Sequence, residues 1–123
     1  MKTKPKTGLS RIKHAFFYSC DGLKFAIKNV TAFRQEVFIY LIATIVLYFL
    51  PLPFVYKSIL FFANTMVLIV ELLNSAIEEV VNLVSPDYHI NAKQAKDLGS
   101  AAVFIALLLA ASLWAATLWM ILT

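Results

Sequence analysis

The sequence predicts an all-α membrane protein with one amphipathic surface helix and three transmembrane helices. Two observations support this fold class. Of the 123 residues, 61% are apolar and 15% are charged, whereas an ordinary soluble domain has roughly 45–50% and 25%. A compact soluble protein of this size leaves too much of its chain in contact with water to bury so apolar a sequence. In addition, three long stretches carry few or no charges, as membrane-spanning helices require.

The N-terminal part of the chain is basic and precedes the first apolar stretch. Residues 1–8 are polar, contain Pro5 and Gly8, and predict a short flexible arm. Over 9–29 apolar residues recur every three or four positions and lysines gather on another side, which predicts an amphipathic helix. Such a helix before a membrane span lies in the interface, with its lysines toward anionic headgroups. Packing on a soluble partner is less favoured, because the chain has no evident soluble domain.

Charge-free stretches and prolines define the three spans. No charge occurs from Val37 to Tyr56, and the prolines of the PLP segment end the first span and predict a very short turn. The third apolar stretch contains no charge at all. The predicted boundaries are 33–52 for the first span, 57–84 for the second, 85–97 for a polar cytoplasmic loop and 98–122 for the third span.

The distribution of basic residues predicts the orientation. Eight of the eleven Lys and Arg residues lie before position 35, so the N-terminus and the 85–97 loop are expected in the cytoplasm. This topology explains the net charge of +4 without a nucleic-acid partner, because the lysines of 9–29 interleave with aromatic residues. The single Cys20 excludes an intramolecular disulfide framework and a CxxC site.

The second span contains carboxylates, which cost several kcal/mol in a membrane and are retained there mostly for function. Glu71, Asn74 and Glu78 are spaced i, i+3, i+7 and therefore share one helix face. Asn64 and Asn82 extend the same stripe. Because seven residues of helix rise about 10 Å, this face presents a deep carboxylate, an amide and a shallow carboxylate.

These residue types favour metal-assisted phosphate chemistry at the membrane surface. The sequence lacks GxxxxGK[ST], GxGxxG, HRD and DFG motifs, so no known soluble nucleotide-binding fold is present. Carboxylates suit a divalent metal and lysines suit phosphate oxygens, and a deep Glu71 is a candidate general base for a lipid hydroxyl.

Each of these features also has a purely structural alternative. The polar stripe can join helices through hydrogen bonds, and Lys96 can be an interfacial anchor. Arg34 and Glu36 predict a boundary ion pair. His14, Trp114 and Trp119 are interpreted as interface anchors.

Four segments resemble a known family, the integral-membrane bacterial diacylglycerol kinases, which include the undecaprenol kinases. The segments are GLSR at 8–11, AFRQE at 32–36, VELLNSAIE at 70–78 and AKDLGSAA at 95–102. The resemblance implies a homotrimer in the bacterial inner membrane. It would phosphorylate the hydroxyl of 1,2-diacyl-sn-glycerol with Mg²⁺ and ATP to give phosphatidic acid and ADP, and so feed phospholipid recycling.

The resemblance also implies residue roles. Glu71 would be the general base, Asn74 would position the reactants, and Glu78 would hold Mg²⁺. Implied ATP contacts are Arg11, Tyr18, Glu78, Asp87, His89, Lys96 and Asp97; implied lipid contacts are Arg11, Ala32, Phe33, Arg34, Gln35, Glu71 and Ser100. One position departs from the family pattern: Val30 stands where a second metal-ligating Glu is usual, so Glu79, Asn29, water or the nucleotide would complete the coordination.

Three other functions compete with this interpretation. Within the same class, the lipid acceptor can be undecaprenol. A small proton-coupled transporter would use Glu71 as its proton carrier, although three spans show no evident inverted repeat. A structural membrane peptide would use the polar stripe only to oligomerise.

Overall fold

The computed structural model describes residues 7–123, and all regular structure in this part of the chain is helical. There are four helices: α1 Gly8–Asn29, α2 Thr31–Phe49, α3 Phe54–Val84 and α4 Ile90–Leu122. Residues 1–6 of the predicted arm lie outside the described residues. Gly8 belongs to α1 and has a φ of 64°, a left-handed conformation that glycine adopts without strain.

Three of the helices are long and apolar enough to cross a membrane, which confirms the predicted all-α membrane protein with three spans; the surface position of α1 stays a prediction. They are α2, α3 and α4, with 19, 31 and 33 residues. Large apolar side chains lie exposed along all three, among them Phe38, Phe62 and Leu108. In water this exposure would be strongly unfavourable, whereas lipid chains solvate it.

Arg34 closes the junction between α1 and α2. The only residue between the two helices is Val30, which has extended backbone angles. The Arg34 guanidinium donates to the carbonyl oxygens of Ile27 and Lys28, both at 2.9 Å, and to Thr31 Oγ1 at 3.2 Å. It thus satisfies carbonyls that the end of α1 leaves without helical partners. The predicted ion pair between Arg34 and Glu36 is wrong, because the guanidinium is committed to this cap.

The turn between α2 and α3 is short, but α2 ends and α3 begins earlier in the chain than predicted. α2 ends at Phe49 and α3 begins at Phe54, before the expected position 57. Pro53 has a φ of −57°, which is compatible with the start of a helix. Lys57 Nζ donates to the carbonyl oxygen of Tyr48 at 3.1 Å and so caps the end of α2.

The polar segment 85–97 is a loop only over its first five residues, since α4 begins at Ile90. A side-chain cap at His89 explains the early start. The backbone N–H of Asn91 donates to His89 Nδ1 at 3.1 Å, which is an N-cap. Lys93 Nζ lies 2.6 Å from Asp97 Oδ2, one turn later. Lys96 and Asp97 therefore project from a helix rather than from a flexible loop.

α3 is the central helix, and it packs against both α4 and α2. Small residues occupy the α3–α4 contact, with Ala63 and Ala110 buried beside Val67. Small side chains let two helix backbones approach closely, which is how helices associate in a membrane. Between α2 and α3, a hydrogen bond of 3.1 Å joins the Tyr40 and Thr65 hydroxyls.

α4 approaches α3 closely at Gly99, which is buried. A Cβ at this position would overlap the side-chain oxygen of Asn74. The absence of a side chain at Gly99 therefore allows Asn74 to occupy its position.

We expect Gly99→Ala to destabilise the helix bundle by about 1–3 kcal/mol, the usual cost of overpacking, and to displace Asn74. Thermal unfolding in detergent micelles measures this effect. Gly22→Ala is the matched control, because nothing lies within 4 Å of its added Cβ and the exchange favours a helix by roughly 0.5–1 kcal/mol. Equal unfolding midpoints for the two variants would contradict the prediction.

Candidate functional site

The carboxylate stripe of α3 runs from a buried part of the bundle to its exposed end. Glu71 and Asn74 are 5% and 8% exposed, while Glu78 is exposed. Asn74 Nδ2 donates to Glu78 Oε1 at 3.2 Å, and its amide also faces Glu71. Asn74 thus links the deep carboxylate to the shallow one. This arrangement places a buried carboxylate next to one that is accessible from water.

Glu36 of α2 adds a carboxylate that the sequence reasoning missed. It is half-buried, its Oε2 is a buried oxygen with no hydrogen-bond partner, and Glu71 is its electrostatic neighbour on α3. Two neighbouring carboxylates repel each other, so the pair is relieved either by a cation or by a proton on one of the carboxyls. The sequence did carry a signal, because Glu36, like Glu71, is an acidic residue within a largely apolar span. The expected pairing of Glu36 with Arg34 obscured this signal.

A polar cavity of about 380 Å³ lies where the α3–α4 loop meets the start of α4. It brings together four of the residues that the resemblance assigns to ATP: Asp87, His89, Lys96 and Asp97. Because His89 Nδ1 accepts the N-cap hydrogen bond, its Nε2 carries the proton and can donate. The positive end of the α4 dipole faces the same region. The cavity therefore combines cations, donors and carboxylates, as a nucleotide with its metal requires.

Other predicted site residues lie apart from this cavity. Arg11 and Tyr18 are exposed on α1 and are not among its lining residues. Of the AFRQE segment at the start of α2, Phe33 is buried at 3% exposure. Ala32, Arg34, Gln35 and Ser100 are exposed. The polar cavity alone therefore does not collect all the residues that the resemblance assigns to the site.

Val30 lines a separate crevice of about 490 Å³ between α1 and α3, and Glu79 lines the same crevice. Within residues 7–123, no group of three or more His, Cys, Asp or Glu side chains has the geometry to hold a metal ion. Glu78 and Glu79 nevertheless fit Mg²⁺, because proteins commonly bind this ion through one or two carboxylates. Substrate phosphates and water then supply the other ligands.

An apolar cleft of about 490 Å³ lies between α2, α3 and α4, with Glu36 and Asn64 on its walls. Trp114 Nε1 donates to Asn64 Oδ1 at 2.9 Å. The interpretation of Trp114 as an interface anchor is therefore wrong, because its polar atom faces inward. The reason is that Asn64 is 9% exposed and needs a partner inside the membrane.

Comparisons with known proteins agree with this architecture. The sequence model of the family described as prokaryotic diacylglycerol kinase matches residues 17–118. A diacylglycerol kinase of Escherichia coli K12 is 42% identical over 113 residues, which cover 92% of this chain and 93% of that protein. Diacylglycerol kinases of Pseudomonas aeruginosa and Haemophilus influenzae are 41% and 39% identical; the matches cover 94% and 92% of this chain and 94% and 96% of those proteins.

This chain belongs to the prokaryotic diacylglycerol kinase family. Family membership confirms the resemblance inferred from the four sequence segments. It favours a lipid kinase over a proton-coupled transporter or a purely structural peptide. In this member of the family, the carboxylate stripe, the polar cavity and the apolar cleft lie in one small helical bundle.

We expect Trp114→Phe to destabilise the bundle, because it leaves the buried oxygen of Asn64 without its donor. Hydrogen bonds between membrane helices contribute about 0.6 kcal/mol on average and at most about 1.7 kcal/mol. The thermal unfolding midpoint in micelles should fall accordingly. Trp119→Phe is the matched control, since Trp119 is 72% exposed. If both variants unfold at the wild-type temperature, the hydrogen bond contributes nothing to stability.

Proposed function

We propose that the chain transfers the γ-phosphoryl group of ATP to the free hydroxyl of 1,2-diacyl-sn-glycerol. The P–O bond to the β-phosphate breaks, a bond to the lipid oxygen forms, and the products are ADP and phosphatidic acid. The observation that supports this reaction best is the stripe from Glu71 through Asn74 to Glu78, in a chain about 40% identical to diacylglycerol kinases.

Glu71 is the proposed general base. Its carboxylate is buried at the depth where a lipid hydroxyl can reach it, and it takes the proton of that hydroxyl as the oxygen attacks phosphorus. Asn74 positions the reactants, because one amide group faces both Glu71 and Glu78. Phosphoryl transfer depends on such positioning and on charge neutralisation more than on covalent catalysis.

The polar cavity at the start of α4 is the proposed site of ATP. Lys96 and the Nε2–H of His89 can donate to phosphate oxygens, while Asp87 and Asp97 can accept from the ribose or the base. We propose that Arg11 and Tyr18 cover the nucleotide from α1. Neither side chain lines the cavity within one chain, which supports a site completed by a neighbouring copy.

Glu78 is the proposed Mg²⁺ ligand, together with nucleotide phosphates. When bound, the metal neutralises charge on the transferring phosphoryl group. Because Val30 cannot ligate a metal, we propose Glu79 as the second carboxylate. Its place in the crevice that Val30 lines supports this assignment.

The lipid is proposed to enter at the α1–α2 junction, where its polar part would meet Ala32, Arg34 and Gln35. Arg11, near the start of α1, and Ser100, on α4, are proposed as further contacts of the lipid. Phe33 is buried and would act by supporting the start of α2. The apolar cleft that begins at Glu36 offers a surface for an acyl chain. The hydrogen bonds that Arg34 donates to α1 hold this entrance in shape.

We further propose a homotrimer in the bacterial inner membrane, with a cytoplasmic N-terminus and α1 lying on the membrane surface. The basic residues before position 35 support this orientation. The amphipathic pattern of 9–29 and the exposed aromatic residues Phe16 and Phe17 support the surface position of α1. A chain with three spans is too thin to enclose both ATP and a lipid, which supports sites shared between copies.

The purified protein in mixed micelles should phosphorylate diacylglycerol from radiolabelled ATP. We expect Glu71→Gln to abolish this activity while expression and oligomeric state stay unchanged, because the amide cannot accept the hydroxyl proton. Thin-layer chromatography of the labelled lipid measures the outcome. Asp21→Asn, at an exposed position of α1 with no proposed role, is the control for loss of one negative charge.

The same assay with undecaprenol tests the alternative acceptor. Labelled undecaprenyl phosphate without labelled phosphatidic acid would overturn the lipid assignment. No labelled lipid from either acceptor would overturn the kinase assignment, and near-normal turnover by Glu71→Gln would remove Glu71 from the role of base.

Glu78→Gln should raise the Mg²⁺ concentration that gives half-maximal activity, because one anionic oxygen ligand is lost. Glu79→Gln should raise it less, since Glu78 remains. Electron paramagnetic resonance of Mn²⁺ with a non-hydrolysable ATP analogue reports metal binding independently of turnover. An unchanged Mn²⁺ affinity in Glu78→Gln would exclude this residue from the metal site.

A further inference from the structure

Lys93 is a second ammonium group in the polar cavity. It lies one turn into α4, lines the cavity with Lys96, and contacts Asp97 Oδ2 at 2.6 Å. The sequence reasoning assigned no role to it.

The ion pair with Asp97 is not explained by helix stability. The two side chains are 55% and 61% exposed, and an exposed i, i+4 pair contributes only about 0.3–0.5 kcal/mol. The first turn of α4 contains no acidic residue. A cation in a first turn is opposed by the positive end of the helix dipole. Helix formation alone would therefore disfavour lysine at position 93.

The charged side chains that line the cavity indicate a role for the Lys93 ammonium. Asp87 and Asp97 are the carboxylates that line it, and Lys93 and Lys96 are the ammonium groups. With Lys93 removed, the carboxylates outnumber the single remaining ammonium, which would oppose the entry of a polyphosphate. A lysine ammonium has three N–H donors, so the contact with Asp97 leaves two for another acceptor.

We propose that Lys93 is a nucleotide-binding residue that donates to a phosphate group of ATP while it remains paired with Asp97. The inference rests on the proposed ATP site. The pair fixes the ammonium at the cavity wall, so little side-chain freedom is lost when phosphate binds. A lipid headgroup phosphate would present the same acceptor oxygens, and the experiment separates the two sources.

Lys93→Gln should raise the KM for ATP roughly tenfold to a hundredfold, the effect of losing one charge-assisted hydrogen bond, and leave kcat within about twofold. Lys93→Arg, which keeps the charge and the donors, should restore the KM. The kinetics are measured in neutral micelles with saturating diacylglycerol. Fluorescence titration with a labelled, non-hydrolysable ATP analogue and Mg²⁺ gives the affinity without turnover.

A charge-shift variant tests whether position matters. Lys93→Gln combined with Gln94→Lys keeps the net charge but moves the ammonium to an exposed residue that is not among those lining the cavity. We expect its KM to stay raised. A restored KM would overturn the proposal, because a general surface potential would then explain the effect.

The remaining outcomes are equally decisive. An unchanged KM in Lys93→Gln overturns the role of Lys93 and leaves the proposed function intact, provided that the wild-type protein turns over. Absence of wild-type turnover overturns the proposed function itself. An effect of Lys93→Gln that appears only after anionic lipid is added would assign Lys93 to lipid headgroups and overturn the nucleotide role.

Discussion

The central constraint on this molecule is that α3 carries polar side chains into a membrane. Asn64, Glu71 and Asn74 are all buried, and the hydrocarbon around the bundle offers them no hydrogen-bond partner. Only the neighbouring helices α2 and α4 can shield them, and α4 approaches closely enough because Gly99 and Ala110 are small. The position of the candidate site follows from this packing.

The arrangement suits a reaction between two substrates that prefer different solvents. A polyphosphate cannot enter hydrocarbon without a large desolvation cost, and a diacylglycerol cannot leave it without exposing its acyl chains. Phosphoryl transfer between them must therefore occur at the boundary. Along α3, the exposed Glu78 and the buried Glu71 lie about two turns apart, and Asn74 connects them.

Some of this architecture is directly readable from local sequence. The spacing of Glu71, Asn74 and Glu78 places them on one helix face wherever the helix lies, and the charge-free stretches imply three long helices. The start of α4 was less readable: residues 90–97 are polar like a loop, and the start of their helix depends on the side-chain cap at His89. The role of Arg34 was misread because Arg34 and Glu36 share the edge of a span, although residues two apart on a helix do not face each other. The guanidinium instead binds the carbonyl oxygens at the end of α1.

The sequence by itself determined the class of protein, the number of spans and the polar face of α3, because hydropathy and helical periodicity act over short distances along the chain. Only the tertiary structure decided that Glu36 faces Glu71, that Trp114 satisfies Asn64, and that Lys93 lines the same cavity as Lys96. The first two contacts join residues far apart in sequence, and the third depends on where α4 begins. All three depend on how the helices pack and where they end, which hydropathy and periodicity do not specify.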